Sequence, residues 1–229
     1  MNRASTTGAT LYRKAVWAGR IAALRATTAV DRADGAAGLV WSRRALALAR
    51  LPAADCNHGH MLAMSCALEG QVAAGIDELT AALDPPPPSA AAVGDLHLGR
   101  GVLRLWAHDL VPAADDLAVC LAGWGAGGTF VARETARFFL AELHYRAGRW
   151  DDAVVTAETA ASIVDQTDQV WLAAFSHAVA VFPLAARGEW ARATDHLAAA
   201  RAASEGADGG AARLWASLAA IRLAATAPP

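Results

Sequence analysis

A six-residue phrase occurs twice in this chain, and its spacing constrains the fold more than any other feature of the sequence. Gly148–Ala153 reads Gly-Arg-Trp-Asp-Asp-Ala, and Gly188–Ala193, 40 residues later, reads Gly-Glu-Trp-Ala-Arg-Ala. Self-similarity at a period of about 40 residues is typical of proteins in which one helical hairpin is repeated along the chain. The period therefore predicts a stack of helix-turn-helix units.

Two earlier copies of the phrase appear in the same register, starting at Gly70 and His108. We interpret the phrase as the turn of a hairpin, whose first residue ends helix A. A large apolar residue two places later would fill the turn as a wedge, and a small residue five places later would let helix B approach helix A closely. The large residues are Val72, Leu110, Trp150 and Trp190, and the small ones are Gly75, Ala113, Ala153 and Ala193.

The composition predicts an all-α fold. Hydrophobic residues make up 55% of the 229 residues. Much of this fraction is Ala, the best helix former, whereas the strand-favouring Ile and Tyr are scarce. We expect a single domain over residues 1–229, a right-handed α-solenoid of five hairpins at residues 10–50, 58–84, 90–121, 129–165 and 167–204. A terminal helix at 211–225 would either cover the apolar end of the stack or begin a sixth hairpin.

Charge and cysteine content bear on partners and compartment. The net charge is −2, and the basic residues are scattered instead of forming one stripe, so we expect no direct nucleic-acid binding. Three cysteines at irregular spacing, and an N-terminus without the apolar segment of a signal peptide, favour the cytoplasm. The apolar stretch at 170–186 is shorter than the ~20 residues of a membrane span, so we expect a helix buried between neighbours.

A resemblance to a known family is carried by residues 137–153, which read Arg-Phe-Phe-Leu-Ala-Glu-Leu-His-Tyr-Arg-Ala-Gly-Arg-Trp-Asp-Asp-Ala. This segment resembles a tetratricopeptide (TPR) repeat of the roughly 40-residue variety. Such repeats are typical of the large ATP-dependent LuxR-type transcriptional regulators related to the maltose-regulon activator. In that family the repeats lie between a nucleotide-binding module and a helix-turn-helix DNA-binding domain. The resemblance is clearest over residues 58–204.

The sequence lacks the features of the two modules that flank the repeats in that family. A phosphate loop, G-x-x-x-x-G-K-[ST], is missing, because the only lysine is Lys14. The seven residues after Arg222 are too few for a DNA-reading domain. The resemblance therefore implies the repeat region alone, as a fragment or a small relative, and DNA binding would belong to the family and not to these residues.

Two segments resemble ligand sites but favour structural interpretations. Cys56, His58 and His60 offer three possible metal ligands within five residues. The two histidines would point to different sides of a helix, however, and no second pair of ligands lies close, so we expect no metal and no cofactor. The glycines between Gly123 and Gly128 lack a basic residue and indicate a connection between hairpins.

Paired acids suggest general acid–base chemistry at first sight. Asp77, Asp115 and Asp195, however, each stand seven places after the first residue of a phrase. A repeated position predicts an exposed acidic stripe along the B helices instead of two carboxylates converging on one bond. Since no nucleophile, base and orienting group recur at a plausible spacing, we do not expect an enzyme.

A candidate binding groove is outlined by polar residues on helices A, which line the inner curve of such stacks, together with Trp124 of the glycine loop. The alternative is that these side chains are simply solvated. The candidate residues are His97, Arg100, Arg104, Trp124, Arg133, Arg137 and His144.

Two non-catalytic functions remain open. The first is a sensing or protein-interaction module of a LuxR-type regulator, which binds a small-molecule effector or a protein partner on its concave face. The second is a free-standing scaffold for protein–protein interaction, with self-association also open.

Overall fold

The computed structural model describes residues 3–48, 58–123, 130–167, 169–206 and 210–226. Those residues are all-helical and contain no strand, so the predicted all-α class is confirmed. They form α1 (Arg3–Asp31), α2 (Gly35–Leu48), α3 (His58–Leu68), α4 (Val72–Ala82), α5 (Ala90–Trp106), α6 (Leu110–Ala122), α7 (Phe130–Arg146), α8 (Trp150–Val164), α9 (Val170–Ala186), α10 (Trp190–Glu205) and α11 (Gly210–Thr226).

The chain divides into two compact units, Met1–Ala132 and Arg133–Pro229. The first unit contains α1 to α6, and the second contains α8 to α11 with most of α7. Each unit has its own set of buried apolar side chains.

Five pairs of consecutive helices are joined by turns of the same backbone geometry. Two residues after the first helix of each pair ends, φ is positive. The N–H of the next residue donates to the carbonyl five residues earlier, for example from Arg149 to His144 at 2.9 Å and from Glu189 to Leu184 at 2.9 Å. This arrangement closes the C-terminus of a helix with its last carbonyls satisfied. The positive-φ residues are Ala33, Gly70, His108, Gly148 and Gly188.

These turns confirm the register read from the phrase. Helix B begins at the large apolar residue in all four copies, and the small residue five places after the turn residue is buried in each. The turn at Ala33 is a fifth copy, which the sequence analysis missed because Gly35 stands where the other copies have a large apolar residue. Gly38 nevertheless keeps the small position, since a Cβ there would lie 2.4 Å from Oγ of Ser65.

The prediction that a tryptophan wedges into the turn is wrong for Trp150, whose residue surface is 43% exposed. Trp190 is half-buried and lies over Gly188, where a Cβ would be 3.7 Å from its Nε1. At Gly148, by contrast, a Cβ would meet no atom within 4 Å. Backbone hydrogen bonds close these turns, so no side chain is needed to fill them.

The first unit is built around α5, which packs against α3, α4 and α6. The axes of α3 and α5 approach closely because Gly59 and Gly99 meet there, and a Cβ on Gly99 would lie 2.2 Å from the carbonyl oxygen of Gly59. Nearby, a carboxylate oxygen of the buried Asp95 accepts the N–H of Gly59 at 2.6 Å in the first turn of α3. The apolar core of this region includes Leu39, Leu62, Cys66, Leu79, Leu96 and Leu103.

The second unit is built around α9, which packs against α8, α10 and α11. The expectation of a helix buried between neighbours at 170–186 is thereby confirmed. Phe138, Phe175, Phe182 and Trp215 join α7, α9 and α11 through ring contacts, with centroids of Phe138 and Trp215 5.0 Å apart. None of the helices in the described ranges has the length and apolar character that a membrane span requires.

Candidate functional site

Three of the predicted groove residues converge on one buried carboxylate in the first unit. His97, Arg100 and Arg104 follow one another at intervals of three and four on α5, and this spacing places them on one helix face. That face meets Asp116 of α6. Nδ1 of His97 lies 2.7 Å from Oδ1, Nη2 of Arg100 lies 2.7 Å from the same oxygen, and Nη1 of Arg104 lies 2.7 Å from Oδ2.

The charges of this cluster determine the state of Asp116. Burial alone raises the pKa of the carboxyl, but hydrogen bonds from His97 and Arg100 and the charges of Arg100 and Arg104 outweigh burial, and the net pKa lies below its ordinary value. Asp116 is therefore ionised at neutral pH. With two guanidinium groups around one carboxylate, the cluster carries a net charge of +1 before any proton on His97 is counted.

The acidic stripe predicted for the B helices did not include Asp116, which lies next to one of its members, Asp115. Asp77, Asp115 and Asp195 are exposed as predicted, whereas Asp116 is buried. Neighbouring residues on a helix point about 100° apart, so the pair Asp115–Asp116 presents one carboxylate to solvent and the other to α5.

A second cluster of the same composition lies on α7 in the second unit. The carboxylate of Glu134 is fully buried, and it accepts hydrogen bonds from Nε of Arg133 at 2.6 Å and from Nε of Arg137 at 2.9 Å. Two arginines thus again meet one buried carboxylate. The side chains of Arg133 and Arg137 keep about a quarter of their surface exposed, at 24% and 26%.

The remaining predicted residues lie apart from these clusters or outside the described ranges. Nδ1 of His144 lies 3.4 Å from Oγ1 of Thr156, and the pKa of His144 is lowered mainly by burial. Trp124 lies outside the described residues. The structure thus groups His97, Arg100 and Arg104 in one unit, and Arg133 with Arg137 in the other.

A repeated polar position explains most of these contacts, and the sequence analysis missed it. We name it the +8 position, the residue eight places after the positive-φ turn residue. Its side chain pairs with a polar residue of an earlier helix in four hairpins: Glu78 with Arg43, Asp116 with the α5 cluster, Thr156 with His144, and His196 with His177. In the first hairpin this position is Trp41, over which the guanidinium of Arg25 lies 4.4 Å from the ring centroid. The signal was available, because the four aligned phrases all carry a polar residue there.

His196, at the +8 position of the fifth hairpin, belongs to a chain of titratable groups. Nδ1 of His177 lies 2.9 Å from Nδ1 of His196, and Nε2 of His177 lies 3.0 Å from Oδ1 of Asp165. An ionised carboxylate only accepts, so Nε2 of His177 donates to Asp165, and one of the two Nδ1 atoms donates to the other. Nε2 of His196 lies 3.6 Å from Oε1 of Glu158. Burial, and next the charge of His177, lower the pKa of His196.

The segment considered for metal binding is described only in part. Cys56 and the side chain of His58 lie outside the described residues, whereas His60 is buried and burial lowers its pKa to about 4. Burial also raises the pKa of the Cys66 thiol to about 11 and that of Cys120 to about 12, so both stay protonated at neutral pH. Across the described ranges, no group of three or more His, Cys, Asp or Glu residues could hold a metal ion.

The first unit also contains an open cleft of about 390 Å³ between α2 and α4. Its walls include Leu46, Ala82, Pro87 and Leu96, and the pair Arg43–Glu78 lies beside them with Nη2 and Oε1 2.6 Å apart. This volume is within the range of small-molecule sites.

Comparison of the chain with family models, with curated proteins and with solved structures gave no match.

Proposed function

We propose that this chain is a non-catalytic helical-repeat module that binds a protein partner or a small-molecule effector, and that it resembles the repeat region of a LuxR-type transcriptional regulator. The observation that carries the proposal is the fivefold recurrence of one hairpin turn, with a positive φ at the same place each time. Recurrence of a hairpin is what a right-handed solenoid of TPR-like units requires, and such stacks serve as binding surfaces in many proteins. We propose that the hairpins stack in this way.

The state of the polar groups supports a non-catalytic function. The buried carboxylates Asp116 and Glu134 are each held by two arginines, and burial keeps the thiols of Cys66 and Cys120 protonated. A nucleophile activated by an adjacent base is the usual mark of covalent catalysis. The clusters instead have the character of charge networks that fix the orientation of side chains.

Each arginine cluster supplies a proposed binding surface in its own unit. On α5 and on α7, a buried carboxylate orients two guanidinium groups. Held in place, these groups lose less side-chain entropy when they bind, and a guanidinium offers paired donors to carboxylate or phosphate. We therefore propose that a partner or effector presents an anionic group to Arg104 in the first unit or to Arg137 in the second, whose side chains are 21% and 26% exposed.

A variant pair tests the binding face against native protein partners. Arg104→Gln combined with Arg137→Gln removes one cation from each cluster, and affinity capture of the full chain from its host should lose the partner. Arg146→Gln is the matched control, because Arg146 also pairs with a buried acid of α7, Glu142, at 2.6 Å. Equal capture by the double variant and the control would reject the arginine face.

The regulator and the free-standing scaffold differ in what accompanies the chain. A P-loop ATPase or a helix-turn-helix protein that co-purifies with the chain, or is encoded beside it, would favour the regulatory role in the cytoplasm. A partner with neither module would favour the scaffold.

A further inference from the structure

An apolar stripe runs along one face of the last described helix. Leu214, Leu218 and Ile221 on α11 are 54%, 42% and 65% exposed. Their spacing of four and three residues puts them on the same side of the helix. The opposite side, with Ala212, Trp215, Ala216 and Ala219, is buried. Exposed large apolar side chains in a row mark a surface that another molecule covers more often than single ones do.

Helix α9, which begins 40 residues earlier, has a face that corresponds to this stripe and can be compared with it. The spacing that relates the phrases also relates α11 to α9, because Gly210 and Val170 begin the two helices. Their buried sides agree: Leu172, Ser176 and Val179 of α9 are buried, as are the residues 40 places later.

The other faces of the two helices differ. Ala174, Ala178 and Val181 are fully buried on α9, whereas their counterparts are the exposed stripe of α11. α9 packs against α8 before it and also against α10 and α11 after it, whereas α11 packs against α9 and α10. The stripe is thus in the register of a face that is covered on α9.

We propose that this face of α11 is a docking site for an amphipathic helix of a partner protein, with a small-residue apolar face and acidic flanks. α11 contains no acidic residue, and Arg213 and Arg222 are exposed on it. One of the chain's own B helices, α8, has the complementary chemistry, since it carries Asp151, Asp152 and Glu158. A second copy of α11 fits less well, because it would bring arginines against arginines. The proposal rests on the repeat register of the proposed function, and not on a ligand at the arginine clusters.

A tethered helix tests the site at high effective concentration. Residues 147–165, which are the turn and helix α8, are appended after Thr226, the position of α11 that corresponds to Arg146 of α7. If the face accepts such a helix, the extended chain should melt about 5 °C or more above the original, since about 2–4 °C corresponds to each kcal/mol in a protein of this size. Circular dichroism should also gain about one 15-residue helix.

Variants of the extended chain identify the surface and the charge. Leu218→Glu should remove the gain, whereas Leu24→Glu, which changes another exposed leucine in the first unit, should keep it. A neutral version of the appended helix, with Asp151, Asp152 and Glu158 replaced by Asn, Asn and Gln, should lose part of the gain. An appended helix that stays unfolded, or a gain that survives Leu218→Glu, would overturn the proposal.

Two further outcomes separate this proposal from others. If the unextended full chain is a dimer by light scattering and Leu218→Glu makes it a monomer, the occupant is a second copy and the partner helix is rejected. If the tethered helix fails to dock while the Arg104 and Arg137 variants still lose a partner, the docking site on α11 is rejected. The proposed function is retained in that case.

Discussion

Nδ1 of His177 and Nδ1 of His196 lie 2.9 Å apart between α9 and α10. Nε2 of His177 lies 3.0 Å from Oδ1 of Asp165, so the two rings and this carboxylate form one chain of contacts. A proton added to His196 would enter a partly buried site beside a second imidazole, and burial is the first cause that lowers its pKa, followed by His177. Glu158 opposes this effect only in part.

Stability should therefore fall as the pH is lowered from about 6.5 towards 4. The pKa of His196 is lower in the folded chain than in the unfolded one, and that of His60 falls to about 4, so the unfolded state binds more protons in this window. The difference between the unfolded and folded pKa values of His60 corresponds to roughly 3 kcal/mol of stability. Urea denaturation at pH 7, 5.5 and 4.5 measures the loss, and NMR titration should give His196 a midpoint below 6.5. Constant stability across this range would contradict both assignments.

Asp116→Asn should destabilise the chain by about 3–5 kcal/mol, the range for removing one partner of a buried ion pair. Arg100 and Arg104 would lose their anion while remaining largely buried. Asp115→Asn is the matched control on the adjacent, exposed residue, and it should stay within about 0.5 kcal/mol of wild type. Chemical denaturation measures both. Equal effects of the two substitutions would mean that the cluster contributes nothing to folding.

Gly148→Ala should cost about 1–2 kcal/mol through backbone conformation alone. The φ of Gly148 is 75°, a region that L residues enter at a cost, while a Cβ there would meet no atom within 4 Å. Gly123→Ala is the control, because Gly123 has φ −67° and equally open surroundings. That substitution should be neutral or slightly stabilising. If the thermal melts of the two variants coincide, the turn does not need a residue in the left-handed conformation.

Trp150→Ala should cost no more than about 1 kcal/mol, because the residue is 43% exposed and backbone hydrogen bonds close its turn. Phe138→Ala, on the preceding helix, should cost about 3–5 kcal/mol, since Phe138 is buried among Phe139, Phe175 and Trp215. Melting curves of the two variants give the comparison. A larger loss of stability for Trp150→Ala than for Phe138→Ala would mean that Trp150 does fill the turn.

The hairpins could be read from the sequence because their turns depend on local chemistry. Glycine is favoured where φ is positive, and a small residue is needed where two helices approach, so both recur at fixed places. The turn at Ala33 escaped notice because Gly35 stands where the other copies have a large apolar residue. Trp150 was misinterpreted because a hydrophobic residue at a repeated position is expected to belong to the core. Backbone hydrogen bonds already close this turn, so the ring is not needed to fill it.

The contacts of the candidate site could be predicted only in part. The spacing of Arg100 and Arg104 placed both on one face of α5, but their anion lies 16 and 12 residues away on the next helix. Adjacent acids such as Asp115 and Asp116 look alike in the sequence, and only the rotation of α6 separates the exposed one from the buried one. Aligning the four phrases as far as the +8 position would have indicated which acid faces inward.

We propose that the arginine clusters bind an anionic group, and a thermal-shift titration of the full chain measures this binding. The probes are di- and tricarboxylates, phosphate esters and acidic peptides, applied to wild type, to Arg104→Gln/Arg137→Gln and to Arg146→Gln at low salt. We predict that at least one probe raises the melting temperature of wild type and of Arg146→Gln in a saturable way, and that the double variant loses the shift. A shift of equal size in all three proteins, or none with any probe in wild type, would contradict the claim.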